Sequence, residues 1–152
     1  MAEAKEVAVR FFEAMHNRGE PRWDVIEELV SPGYLNHEAA AERSPGLQGA
    51  KETTVWLHEA FSDLDFEIED VISNGEKVVL RGVATGRHTG AAGPLKRSPV
   101  TNRPFRVQQI HIFAVANGEV TEHWACRDDL GHMGQLGLLP PPPTAQPSEP
   151  PS

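Results

Sequence analysis

Apolar residues recur at helical spacing from the start of the chain. Val7, Phe11, Phe12 and Met15 fall on one side, with Lys5, Glu6, Arg10 and Glu13 largely elsewhere. This spacing predicts an amphipathic helix over residues 2–17, ended by Asn17-Arg18-Gly19. Pro21 suits the first turn of a second helix, which carries Trp23, Ile26, Leu29 and Val30 and stops at Ser31-Pro32-Gly33. The stretch Tyr34-Leu35-Asn36-His37-Glu38 is too polar for a core strand and too aromatic for an idle loop. A third helix is predicted over about 50–62, with Thr53, Leu57 and Phe61 on one stripe. From Leu64 the period becomes two. Leu64, Phe66, Ile68 and Ile72 alternate with acidic neighbours, a strand with one wet face. Asn74-Gly75 is a hairpin signal, and Lys77 to His88 reads as the returning strand. Residues 89–103 are rich in glycine and proline without an apolar period, and are expected to be a flap at the mouth of a pocket.

The most informative stretch is 104–128. Two β-rich runs flank Asn117-Gly118, again a hairpin signal. On the first run Phe105, Val107, Gln109, His111, Phe113 and Val115 share one face. A core face that carries a glutamine and a histidine needs a reason, because buried polar groups are costly unless paired. The expectation is the back wall of a ligand pocket. Register decides what faces His111. A simple two-residue turn pairs it with Trp124 and brings Glu122, Cys126 and Asp128 to the same face. A one-residue bulge pairs it with Ala125 and brings His123 and Arg127 instead. A short helix follows, from about Asp129 to Leu136, closed by Gly137.

Helices grouped before strands imply an α+β fold, with helices packed over the concave face of a curled, mostly antiparallel sheet and a cone-shaped cavity between them. The 152 residues fit one domain over 1–139. Pro140–Ser152 holds seven of the thirteen prolines and is expected to be extended or disordered. A partner-binding role for this tail is one reading.

Charge narrows the partners. The net charge of -8, from 14 Lys+Arg against 22 Asp+Glu, argues against nucleic acid and anionic membrane. The single cysteine, Cys126, excludes an intrachain disulfide and reads as a small buried strand residue. With no signal-peptide core or membrane-length apolar run, a cytoplasmic protein is expected. His16, His58, His88 and His132 read as surface or loop positions. No phosphate-binding glycine loop, nucleophile elbow or His-Glu-x-x-His motif is present, and no metal or cofactor is expected.

The candidate site is Tyr34, Asn36, His37, Gln109, His111, Trp124 and Asp128. A carboxylate in an apolar cavity suits a general base, and amide and imidazole donors suit an enolate oxygen. Trp124 offers a stacking platform. Together these groups suit cofactor-free proton abstraction next to a carbonyl. Each has a structural alternative: Asp128 as a helix cap, His111 as a backbone-satisfied core residue, Gln109 as a cross-sheet partner, Asn36 and His37 as turn residues, and Trp124 as core.

Tyr34-Leu35-Asn36 after two helices, Gln109-x-His111 on a strand, Asn-Gly-Glu-Val-x-Glu-His at the hairpin and Gln135-Leu136-Gly137 at the end together resemble the SnoaL-like polyketide cyclase family, over roughly residues 5–139. The resemblance implies a nuclear-transport-factor-2-like cone, a homodimer through the exposed sheet face, and cofactor-free aldol closure of a polyketide ester. It implies that Asn36, Gln109 and His111 contact the enolate. In characterised members the acid/base aspartate lies fourteen residues after the strand histidine, which is Ala125 here; Asp128 resembles a wider branch of the family. The leading expectation is an enzyme acting on a hydrophobic, carbonyl-bearing small molecule, with Asp128 and His111 catalytic. Its rivals are a non-catalytic binding protein for a hydrophobic ligand and a related cone-fold activity such as epoxide hydrolysis or cofactor-free oxygenation.

Overall fold

The structure is a computed structural model, and it describes residues 3–16, 19–38 and 46–139. The expected Pro140–Ser152 tail and most of the irregular stretch before the third helix lie outside the described residues. Helices α1 (Ala4–His16), α2 (Trp23–Leu29), α3 (Gly46–Ala60) and α4 (Asp129–Leu136) accompany strands β1 (Val30–Asn36), β2 (Phe61–Ser73), β3 (Lys77–His88), β4 (Pro104–Ala116) and β5 (Glu119–Arg127). The five strands form one sheet in the order β1-β5-β4-β3-β2. It is an α+β fold, as the order of elements implied.

The amphipathic face of α1 explains how the layers meet. Val7, Ala8, Phe11, Phe12, Ala14 and Met15 are all buried and pack with Val78, Leu80 and Phe113 from the inward face of β3 and β4. Phe12 is the keystone of this packing. Its ring meets Phe66 at 4.5 Å, His111 at 4.7 Å and Phe113 at 6.0 Å, all near edge-to-face, the arrangement that aromatic quadrupoles favour. A second apolar cluster gathers Phe61, Leu64, Ala92, Leu95, Phe105 and Leu136 near the other end of the sheet.

Several expectations need correction. A strand, β1, runs through Val30–Asn36, where a helix end and an undefined stretch were expected. It pairs parallel to β5, with Leu35 opposite Glu122 and Asn36 opposite His123, and an irregularity after Val30 takes up Ser31-Pro32-Gly33. Proline is tolerated there because β1 is an edge strand. Pro21 precedes the N-cap residue Arg22 of α2 and so lies outside the helix. Strand β2 begins at Phe61, inside the stretch read as the end of the third helix. Residues 89–103 are pinned down, not loose. Ala92 and Leu95 are buried, Thr89 and Gly90 donate backbone N–H groups to Ala60 O, and Asn102 N–H donates to His88 O at 2.8 Å. His88 is 0% exposed and its Nδ1 lies 3.1 Å from Thr101 Oγ1, so it is no surface residue. Cys126 lies in a strand but is exposed.

The β4–β5 turn settles the register. Asn117 and Gly118 both take positive φ, 53° and 75°, as a two-residue primed turn demands. Val115 then pairs with Val120, but Ala114 pairs with Glu122, so Thr121 is one residue too many. Its hydroxyl donates to Ala114 O at 3.2 Å. Beyond this bulge every β5 side chain changes face. His111 stands opposite Ala125, Phe113 opposite His123 and Gln109 opposite Arg127.

Candidate active site

The bulge assembles a row of polar groups on the inward wall. Gln109 Oε1 lies 2.7 Å from His111 Nε2. His111 Nδ1 lies 2.8 Å from His123 Nε2, and His123 Nδ1 lies 2.7 Å from Asn36 Oδ1. Three strands thus contribute to one chain of hydrogen bonds, Gln109–His111–His123–Asn36. His111 and His123 are 1% and 6% exposed, whereas the two amides at the ends are only half-buried. The rings therefore stand behind the amides. His111 is enclosed by Phe12, Phe66 and Phe113.

Proton counting shows how this chain works. With amide oxygens facing both ends, three hydrogen bonds need three protons on four ring nitrogens, which makes one imidazolium. Burial opposes that charge. It pushes His111 well below the usual imidazole range, helped by His123, Arg127 and His16, and pushes His123 down to about 3, helped by Arg127, His16 and His37. Two neutral rings carry only two protons, so one amide must turn its NH2 inward. Asn36 Oδ1 already accepts from Glu38 N–H at 3.1 Å, which leaves Gln109 to turn. The relay has two satisfied states, differing by one proton and a half-turn of the Gln109 amide. In the neutral state Gln109 donates to His111, His111 to His123, and His123 to Asn36.

A third ring, His16, stacks on Phe12 at 4.0 Å and lies 6.3 Å from His111. Its burial takes it down to about 4, against the hydrogen bond to Phe12 O. These three rings are harder to protonate in the folded chain than in the unfolded one. Their stability contribution is full above about pH 6.5 and is lost as pH falls towards the folded values, by up to about 1.4 kcal/mol per pH unit for each titrating ring. Denaturant melts at pH 7.5, 6.0 and 5.0 should show stability falling below pH 6.5. A flat profile across that window would contradict the burial of these rings.

Arg127, like His123, faces the site only in the bulged register. It faces inward opposite Gln109, and its guanidinium makes no hydrogen bond or ion pair with another described residue. It acts on His16, His111 and His123, and offsets in part the upward push of burial on the Tyr34 phenol. None of the inward positions of β3, β4 and β5 is a carboxylate, so this wall carries a fixed positive charge. Tyr34 is buried on the same side, edge-on to Phe11 at 5.9 Å.

The other expected site residues lie elsewhere. Trp124 faces the outer side of the sheet, stacked on His37 at 4.6 Å and 7°, with Lys77 Nζ 5.0 Å from its ring centre. His37 Nε2 also lies 3.5 Å from Glu122 Oε1. Neither Trp124 nor His37 is brought to the relay, because the bulge turns both Trp124 and Glu122 outward. Asp128 is exposed and caps α4, its Oδ1 accepting from Gly131 N–H at 2.9 Å. Asp128→Ala should lower stability by about 1 kcal/mol without changing turnover. A loss of turnover in a folded variant would return Asp128 to the chemistry.

Two of the clefts among the described residues lie away from the relay. One, of about 820 Å³, lies between the start of α1 and the two hairpin turns, beside Lys5, Ile72 and Asn117. The other, of about 300 Å³, borders His58, Phe61 and Leu64. The expected hollow in front of His111 is occupied by the rings of Phe12 and Phe66. The half-buried polar groups of this wall are Gln109, Asn36 and Arg127.

Comparison with known proteins identifies the lineage. A family model described as SnoaL-like polyketide cyclase matches residues 6–136. The chain is 32% identical over 142 residues to the aklanonic acid methyl ester cyclase of Streptomyces peucetius, covering 90% of this chain and 92% of that one. It is 30% identical over 120 residues to the nogalonic acid methyl ester cyclase of Streptomyces nogalater, covering 76% and 86%. Among solved structures, TsrD from Streptomyces laurentii superposes with a TM-score of 0.77 at 25% identity, covering 91% of this chain and 99% of that one. With its inward-facing amide and imidazole row on a five-stranded sheet, the chain belongs to the SnoaL-like polyketide cyclase family.

Proposed function

We propose that this protein closes a ring in a hydrophobic, carbonyl-bearing polyketide by cofactor-free aldol chemistry. The observation that carries this reading is the Gln109–His111–His123–Asn36 relay, whose buried rings fix two amides at the surface a guest meets. Loss of a proton between two carbonyls places negative charge on oxygen. An amide N–H of Gln109 or Asn36 meets that oxygen, and the Arg127 guanidinium supplies the opposing charge. Donors held in place before the reaction need no reorganisation as charge develops. Proton uptake by the histidine pair, with the Gln109 amide turning, gives the wall a way to answer a change of charge in front of it. His111 is a positioning residue here, because it reaches the substrate through Gln109.

The reading extends to assembly and place. Ile110 and Ile72 are exposed, and Ile112 and Trp124 lie partly exposed, on the outer face of the sheet, which suits a homodimer packed sheet to sheet. Among the described residues no helix is long and apolar enough to cross a membrane, and we place the protein in the cytoplasm. A binding protein without turnover is the second reading, and the alanine at position 125 favours it. The experiment is incubation with aklanonic acid methyl ester and with nogalonic acid methyl ester, the compounds in the names of the relatives. Ring closure, seen as a product of unchanged mass with a shifted retention time and absorption spectrum, is expected. Retention of either ester without conversion would support the binding reading and overturn the enzymatic one.

A further inference from the structure

Proton abstraction needs a base, and the inward wall offers no carboxylate. We infer that Glu38 is the acid/base residue of this site, reaching from the end of β1 to the backbone of Ala125. The inference rests on the cyclase reading.

The geometry is specific. Glu38 Oε1 accepts from Ala125 N–H at 3.0 Å. Ala125 stands directly opposite His111, so this carboxylate is held beside the one inward position of β5 next to the relay that has no functional group. Three consecutive residues dock on β5 to put it there. Asn36 bonds His123 through its side chain, and its Oδ1 also accepts Glu38 N–H, closing a tight local turn. His37 N–H donates to His123 O at 2.9 Å, continuing the parallel ladder beyond β1, while its ring stacks on Trp124. The backbone of Glu38 therefore has little freedom, and the carboxylate is presented at the same edge as Asn36. Asn36 links the base to the relay, so the group that removes the proton and the groups that hold the resulting enolate share one anchor.

The chemistry balances with no further reactant. An oxygen of Glu38 takes the proton as the C–H bond breaks, and the electron pair moves onto the adjacent carbonyl oxygen. The enolate carbon then forms a C–C bond to a second carbonyl carbon. The alkoxide produced takes the proton back from the Glu38 carboxylic acid.

The test uses the full chain with aklanonic acid methyl ester. Glu38→Gln keeps an oxygen for the Ala125 N–H and so keeps the local fold, but removes the base. It should lower kcat by about 100-fold and leave KM within about threefold of the parent value. Adding Ala125→Asp to that variant should restore kcat at least about tenfold, since the new carboxylate hangs from the same backbone position. Turnover by Glu38→Gln within about threefold of the parent overturns the inference. So does an inert parent chain whose Ala125→Asp variant is active, a result that leaves the family reaction standing. Inactivity of both the parent and Ala125→Asp overturns the cyclase reading and this inference with it.

Discussion

Gln109→Leu is expected to reduce kcat for ring closure by about 10²–10³-fold, the loss that follows removal of one preorganised oxyanion donor. Gln109 is half-buried and stands opposite Arg127 and Gly82, so leucine fits without a new clash on the flat backbone of glycine. The change should fall on kcat more than KM, because the amide earns its hydrogen bond only as charge develops on the substrate oxygen. His111→Phe is the companion variant. Phenylalanine keeps the aromatic packing against Phe12, Phe66 and Phe113, but leaves His123 Nε2 and Gln109 without their partner. Because His111 acts through Gln109, its loss should cost turnover less, about 10–100-fold. It should cost stability more, about 1–3 kcal/mol for a buried polar group left unpaired. The double variant should be no slower than Gln109→Leu alone, since both changes disable one unit. Steady-state kinetics alongside urea melts separates the two quantities. Independent, multiplying losses in turnover would show that His111 touches the substrate directly.

The second large effect lies in the core. Phe12→Ala should destabilise the fold by about 3–5 kcal/mol. Phe12 is 1% exposed and its ring is the common neighbour of His16, Phe66, His111 and Phe113. Removing it opens a void that the sheet and α1 are too constrained to close. The void would sit directly in front of His111, so it also tests how that ring is kept dry. With water admitted, burial no longer opposes protonation as strongly, and the histidine pair should titrate closer to the ordinary imidazole range. Equilibrium urea unfolding gives the stability, and histidine ring resonances followed against pH give the titration. A loss below about 1 kcal/mol would mean that Phe12 is not the keystone of the α1–sheet contact.

Much of this architecture is legible in the chain itself. Helical spacing in residues 2–17, alternation from Leu64, and the two Asn-Gly turns lead to α1, β2–β3 and β4–β5. Gln109 and His111 stand out as polar residues on an apolar face, and both turn inward. The misses at β1 and Glu38 share a cause: each depends on contacts made far along the chain. Strand β1 carries Pro32 and Gly33 and only a short apolar pattern, and it exists because β5 offers it a parallel edge. The bulge at Thr121 has no signature in residue type, yet it decides that His123 and Arg127 face the site while Trp124 faces out. Asp128 reads equally well as base or cap from sequence, since both uses favour an acid at a strand–helix junction. Glu38 is exposed, and its place beside Ala125 follows only from the pairing of β1 with β5. Inward-facing His123 and Arg127 are the signals that the correct register exposes.

The half-buried ends of the Gln109–His111–His123–Asn36 chain are expected to touch the guest. The most direct test is a crystal structure of the protein with the ring-closed product of aklanonic acid methyl ester bound. A ligand oxygen is expected within about 3 Å of the Gln109 or Asn36 amide, with the ligand body on the concave side of the sheet, beside Arg127. A ligand seated in the cleft by Lys5 and Asn117, with the relay untouched, would contradict that expectation.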